Sequence, residues 1–332
     1  MRRSPLLLAA GTGLAVGLAG RHRTTRRRAA VEPARPAPTT VCTEDGVDLH
    51  VQVHGPQRPS GTVVLVHGYV LSSVLWDRQV EGLRAERPDL RVVTYDHRGH
   101  GRSGRSPQAA ATIDQLARDL QVVLDATAVG PVVLAGHSMG GMTLMAHAEQ
   151  RPAGYGSPVV AVGLVATSSG GLSELTLGLP PRVSARIRVG LPAGLERARR
   201  WEDAGRRPLP PGYLRPVLFG KGAPSTDVRR TLGVVAGTSM HTMADFFPTF
   251  MAHDRTAALT AMAGVPVSIL VGTDDRLCPL SHSRLMAQAL PHAVLHVYPG
   301  AGHMLQLERT DEVTERLVDL ARAIPVARPV AV

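Results

Sequence analysis

Cysteine is scarce in this chain of 332 residues. Cys42 and Cys278 are the only two thiols, so neither a disulfide framework nor a cysteine-rich zinc site can be built. Lysine is nearly absent: Lys221 stands alone, and arginine carries the rest of the positive charge. That bias fits a GC-rich coding sequence better than selection for phosphate contacts. No apolar run reaches the roughly 20 residues that span a bilayer as a helix. The longest, Pro5–Gly20, has sixteen. No metal-ligand spacing stands out, no cofactor motif survives inspection, and no repeat period is visible. With 44% hydrophobic residues, the chain has enough apolar material for one large domain or two small ones.

The formal charge of +10 is unevenly placed. Residues 1–40 hold eight arginines and one acid, Glu32. They account for +7, leaving +3 on the other 292 residues. The basic character therefore belongs to a tail, which argues against a nucleic-acid-binding fold. Within that tail, Met1–Ser4 is basic, Pro5–Gly20 is apolar, Arg21–Arg28 is basic, and Val31–Thr40 is a Pro/Ala-rich linker. We read residues 1–28 as a membrane contact or short anchor. Five arginines after the apolar stretch favour a cytoplasmic flank. A cleaved export signal is the alternative, and an unstructured tail or a misassigned start codon is the plainest account.

From Val41 onward, β-branched apolar runs alternate with helical patterns. Val47–His54 alternates like a half-buried strand. Thr62–Val66, Arg91–Tyr95, Val132–Ala135, Val159–Val165, Val267–Val271 and Ala293–Val297 read as strands buried on both faces. Ile113–Ala126, Met139–Gln150, His282–Leu290 and Thr310–Ile324 have helical spacing. Such alternation implies an α/β fold with a mostly parallel sheet flanked by helices. Residues 170–254 break the pattern. They are Pro-punctuated, lack buried-strand runs and contain all four phenylalanines. We expect a helical cap there, between core segments 41–169 and 255–325, with 326–332 as a tail.

Val-Val-Leu-Ala runs from Val132 into Gly136-His137-Ser138-Met139-Gly140. This is a G-x-S-x-G turn between a buried strand and a helix. A sharp turn of this kind raises a serine hydroxyl above the sheet, near the positive end of the helix dipole. Small residues two positions either side let strand and helix approach. A serine nucleophile needs a base, and the base an orienting acid. His303 lies in the Gly-rich loop Pro299–His303, between the last strand and the last helix. Asp274 and Asp275 both lie in the loop that follows Val267–Val271. Gly99-His-Gly-Arg-Ser-Gly104 matches a dinucleotide fingerprint in letters but not in context. Pro107 intervenes before any helix, and no acid sits at a strand end twenty residues on.

These residues, together with His67-Gly68-Tyr69 and Asp96–Gly104, resemble an α/β-hydrolase fold serine hydrolase of the esterase or lipase kind, with a helical cap. The resemblance covers Val41–Ile324. Its acid turn, G-x-x-D-x-x-x-P, matches Gly272 and Pro279 and implies Asp275 as the acid. It also implies an oxyanion hole made by the backbone N–H groups of Tyr69 and Met139. A Ser138–His303–Asp275 triad would then cleave carboxylic esters through an acyl-enzyme, without cofactor or metal. The Met- and Phe-bearing cap suggests an apolar acyl or lipid-like substrate, with Tyr69, Met243, Phe246 and Phe247 lining its pocket. Cofactor-free haloperoxidases, thioesterases, acyltransferases and C–C hydrolases share the same core, and a non-catalytic binding module would keep the scaffold alone.

Overall fold

The computed structural model describes residues 39–174, 180–206 and 211–326. The expected anchor and most of the linker lie outside those residues. Among the described residues, no helix is long and apolar enough to cross a membrane. Eight strands form one sheet: β1 Thr39–Cys42, β2 Asp48–His54, β3 Thr62–Val66, β4 Arg91–Tyr95, β5 Val132–His137, β6 Val159–Val165, β7 Val267–Gly272 and β8 Val294–Tyr298. Their order is β1-β2-β4-β3-β5-β6-β7-β8. The β1/β2 and β2/β4 pairs are antiparallel, and every other pair is parallel. The linker reading ends too late, because β1 already begins at Thr39 and pairs with β2.

Strand side chains alternate between two cores. Val64 and Val66 face one, with Leu134, Val162 and Ile269; Val63 and Leu65 face the other, with Val133, Ala161 and Leu270. The first face is covered by α2 (Ile113–Thr127), α3 (Met139–Gln150) and α8 (Leu280–Ala289), and the second by α1 (Asp77–Glu86) and α10 (Thr310–Ala321). Thr112 caps α2, its hydroxyl accepting the Gln115 N–H at 3.1 Å. The expected face of Ile113, Leu116, Leu120, Val123 and Leu124 is buried. β8 departs from expectation. It is the edge strand, so Val294 and Val297 are exposed where a doubly covered strand was anticipated.

Between β6 and β7 the chain leaves the sheet, and the described residues there form four α-helices: α4 Pro181–Asp203, α5 Arg215–Leu218, α6 Ser225–Gly237 and α7 Met240–Met251. Its two ends meet, as His253 Nε2–H donates to the Ser168 carbonyl at 3.0 Å and Arg255 N–H to that of Ser169 at 2.6 Å. Arg78 on α1 grips Asp227 on α6 with both guanidinium nitrogens, and Arg230 bonds Asp77. α7 rests on the core. Thr242 Oγ1 donates to the Gly99 carbonyl and Thr249 Oγ1 accepts the Ile113 N–H. α4 packs on α7 in turn: Glu202 accepts from Ser239 Oγ and the Met240 N–H, and Arg199 pairs with Asp245. The last elements are α9 (Leu305–Glu308) and α10.

Candidate active site

Three non-glycine residues among those described have positive φ: Val70 at 54°, Ser138 at 54° and Ala166 at 46°. Val70 lies just beyond β3, and Ser138 and Ala166 directly follow β5 and β6, which flank one another in the sheet with β3. Such conformations cost about 1–3 kcal/mol each and persist only where the surroundings impose them. Strain is thus concentrated at the carboxyl ends of neighbouring parallel strands, where open α/β sheets form their crevices.

Ser138 is the single residue between β5 and α3, with ψ −118°. Its N–H donates to the Val165 carbonyl at 3.0 Å, and its own carbonyl accepts from the Met142 N–H and from Thr167 Oγ1 at 2.7 Å. The glycines explain how the turn closes. A Cβ on Gly136 would lie 2.4 Å from the Gly140 carbonyl carbon, and one on Gly140 would lie 2.3 Å from the Val66 oxygen. Only hydrogen fits at either position. The Ser138 hydroxyl does not cap the helix it begins.

His303 and Asp275 are both buried and bonded to each other, Nδ1–H to Oδ2, at 2.9 Å. The other Asp275 oxygen accepts the N–H groups of Leu277 and Cys278, at 2.9 and 2.8 Å. The carboxylate is therefore fixed at both oxygens, and the imidazole presents Nε2 as its lone pair. Asp274 is exposed and turns to Thr273 instead. The acid and histidine loops are tied by the Asp274 N–H bond to the Ala301 carbonyl at 2.9 Å. Behind the histidine loop, Glu308 accepts the N–H groups of Gly302 and Gly220. His137 was not singled out in the sequence. Its Nε2–H donates to the His303 carbonyl at 2.8 Å, and the two rings lie 4.8 Å apart. Burial and the neighbouring His303 hold His137 well below the usual imidazole range, so it stays neutral.

The loop after β3 reaches the same place. A Cβ on Gly68 would lie 3.0 Å from the Ser138 Cβ. His67 anchors this loop: its Nε2 accepts the His97 N–H at 2.9 Å, and His97 Nε2–H donates to the His67 carbonyl at 3.1 Å. Burial pushes both imidazoles down. Neither the Tyr69 N–H nor the Met139 N–H has a backbone acceptor among the described residues. Tyr69 Oη–H donates to the Met243 carbonyl on α7, and its ring meets Phe250 edge-on at 4.6 Å. Tyr69, Phe246 and Phe247 share one apolar cluster with Met139, Met142, Leu172 and Phe250. The Met243 side chain belongs to another cluster, with Leu71, Leu218 and Met304. Phe250 was missed because helical phase alone does not reveal which face of α7 meets Tyr69. No group of three or more potential metal ligands occurs among the described residues.

The model of the Alpha/beta hydrolase family matches residues 63–316. A non-heme haloperoxidase of Rhodococcus erythropolis is 27% identical over 286 residues, covering 84% of this chain and 97% of that protein. A monoacylglycerol lipase of Mycolicibacterium smegmatis is 28% identical over 266 residues, covering 78% and 86%. Among solved structures, a thermophilic esterase from Thermogutta terrifontis superposes with a TM-score of 0.69 at 24% identity, covering 87% of this chain and all of that one. With a family model spanning most of the sequence, and a mostly parallel sheet whose β5–Ser138–α3 turn is strained as observed, the chain belongs to the alpha/beta hydrolase family.

Proposed function

We propose that this hydrolase cleaves carboxylic esters with apolar acyl groups, using Ser138, His303 and Asp275. The observation that carries the reading is a buried histidine–aspartate pair, bonded at 2.9 Å, whose histidine loop is tied to the turn of a strained, uncapped serine through the His137 bond to the His303 carbonyl. In this reading His303 Nε2 takes the Ser138 proton as Oγ attacks the acyl carbonyl. Asp275 holds the tautomer and balances the imidazolium. The N–H groups of Tyr69 and Met139 receive the oxyanion; such donors contribute on the order of 3 kcal/mol each. His303 then protonates the departing alcohol, and water, activated by the same imidazole, releases the acid and restores Ser138. The apolar cluster around Tyr69, Phe246 and Phe250 supports an acyl pocket, as does likeness to a lipase.

Turnover of p-nitrophenyl esters of graded chain length tests this. Ser138→Ala should lower kcat at least about a thousandfold with the fold intact. Unchanged turnover would refute the assignment. The haloperoxidase relative favours one second reading, in which hydrogen peroxide replaces water in deacylation and yields a peracid. Peracid formation in acetate and peroxide, absent in Ser138→Ala, would support it. Residues 1–28 are proposed as a membrane contact, and fractionation of the full chain, followed by sizing of its N-terminus, tests that.

A further inference from the structure

We infer that the outer face of α4 is a docking surface for an anionic lipid surface. α4 is the longest helix described, at 23 residues. Near its C-terminal end Arg199, Glu202 and Asp203 tie it to α7, and in its N-terminal half Ser184 is buried, so the helix has an inner side there as well. Val183, Ile187 and Leu191 recur every four residues and so form one stripe. They are 45%, 39% and 37% exposed. Trp201, 42% exposed, lies further along the same helix, beyond the internal Pro192. A solvent-facing helix of an ordinary soluble domain carries polar residues at these positions.

Charge decides what would cover the stripe. Arg182, Arg186, Arg197 and Arg200 are exposed along the same helix. Arg200 lies 3.7 Å from Glu196, but Arg182, Arg186 and Arg197 have no carboxylate partner among the described residues. Residues 181–195 contain three arginines and no acid. A second copy docked face to face would set arginines against arginines. A bilayer with anionic headgroups satisfies both features, taking the aliphatic stripe into the acyl boundary while the guanidinium groups meet phosphate. Tryptophan at the end of such a helix belongs at that depth. Docking would place the insertion against the source of a lipid substrate. That consequence rests on the ester-hydrolase reading; the docking itself does not.

The test uses the full chain and its two tryptophans. Trp76 is fully buried in the core, and residues 1–38 contain no tryptophan, so tail insertion is silent in this signal. The difference between wild type and Trp201→Phe isolates Trp201. Vesicles of equimolar phosphatidylcholine and phosphatidylglycerol should shift that emission to shorter wavelength, and acyl-brominated lipid should quench it. Val183→Glu with Ile187→Glu should weaken the response at least about tenfold in lipid concentration. Arg182→Glu with Arg186→Glu should remove the preference over pure phosphatidylcholine. Hydrolysis of a short, soluble ester should stay unchanged in both double variants, which separates failure of docking from failure of the catalytic reading. A Trp201 emission indifferent to anionic vesicles, or a response that survives Val183→Glu/Ile187→Glu, would overturn the proposal.

Discussion

Replacing His100 by asparagine should flatten the acid side of the stability curve. His100 is buried between the loop after β4 and α7, with its ring 5.3 Å from that of Phe246. Its Nδ1–H donates to the Arg98 carbonyl at 2.9 Å, a bond an asparagine amide can imitate. Burial, reinforced by His67, lowers its pKa from 6.5 to about 3. The native state therefore keeps it neutral while the unfolded chain protonates it. Above pH 6.5 both states are neutral and the group has no effect on stability. Below 6.5 the unfolded state binds the extra proton, and stability falls by about 1.4 kcal/mol per pH unit until the folded value near 3 is reached. That amounts to about 2 kcal/mol by pH 5. Urea unfolding at pH 7, 6 and 5 gives the curves. The readout is the slope with pH, which is independent of any offset in absolute stability between the two proteins. Between pH 6 and 5, His100→Asn should lose about 1 kcal/mol less than wild type. Parallel curves would refute the claim that His100 is held neutral.

Other perturbations probe the site and its supports. Asp275→Asn would have to offer an amide either to His303 or to the Leu277 and Cys278 N–H groups, and the wrong imidazole tautomer should cost about 10⁴ in kcat with little change in thermal midpoint. Tyr69→Phe removes a buried bond to the Met243 carbonyl while keeping the contact with Phe250. It should cost about 1–3 kcal/mol of stability and lower kcat more than it raises KM, if the Tyr69 N–H is held in place from α7. Arg98 is fully buried between Asp119, also fully buried, and Asp45; Arg98→Met should destabilise by about 3–5 kcal/mol, because it strands the Asp119 carboxylate, and calorimetry would register the loss. Gly140→Val places a branched carbon against the Val66 carbonyl and should yield insoluble or inactive protein, measured as soluble yield.

Strand runs, helix faces and the serine turn were legible in the sequence because each depends on local spacing. Val63–Val66 sends only apolar side chains into the two cores, and Ile113–Leu124 keeps one apolar stripe. Ser138 stands between two glycines whose necessity is visible once strand and helix must touch. What the sequence could not decide is which distant groups share space. Asp274 and Asp275 are chemically equal as letters. The resemblance of the acid turn implied Asp275, but its contact is a product of the fold, which turns Asp275 toward Nδ1 of His303, 28 residues on, and leaves Asp274 exposed. Likewise β8 reads as buried but lies at the sheet edge, because strand order is set by crossovers rather than by composition. Met243 and Phe246 are three residues apart, yet they point into different clusters, since α7 is wedged between the β3 loop and the helices beside it. Periodicity follows from the backbone of each segment alone. Proximity between segments follows from long-range packing, and that exists only once the whole chain has folded.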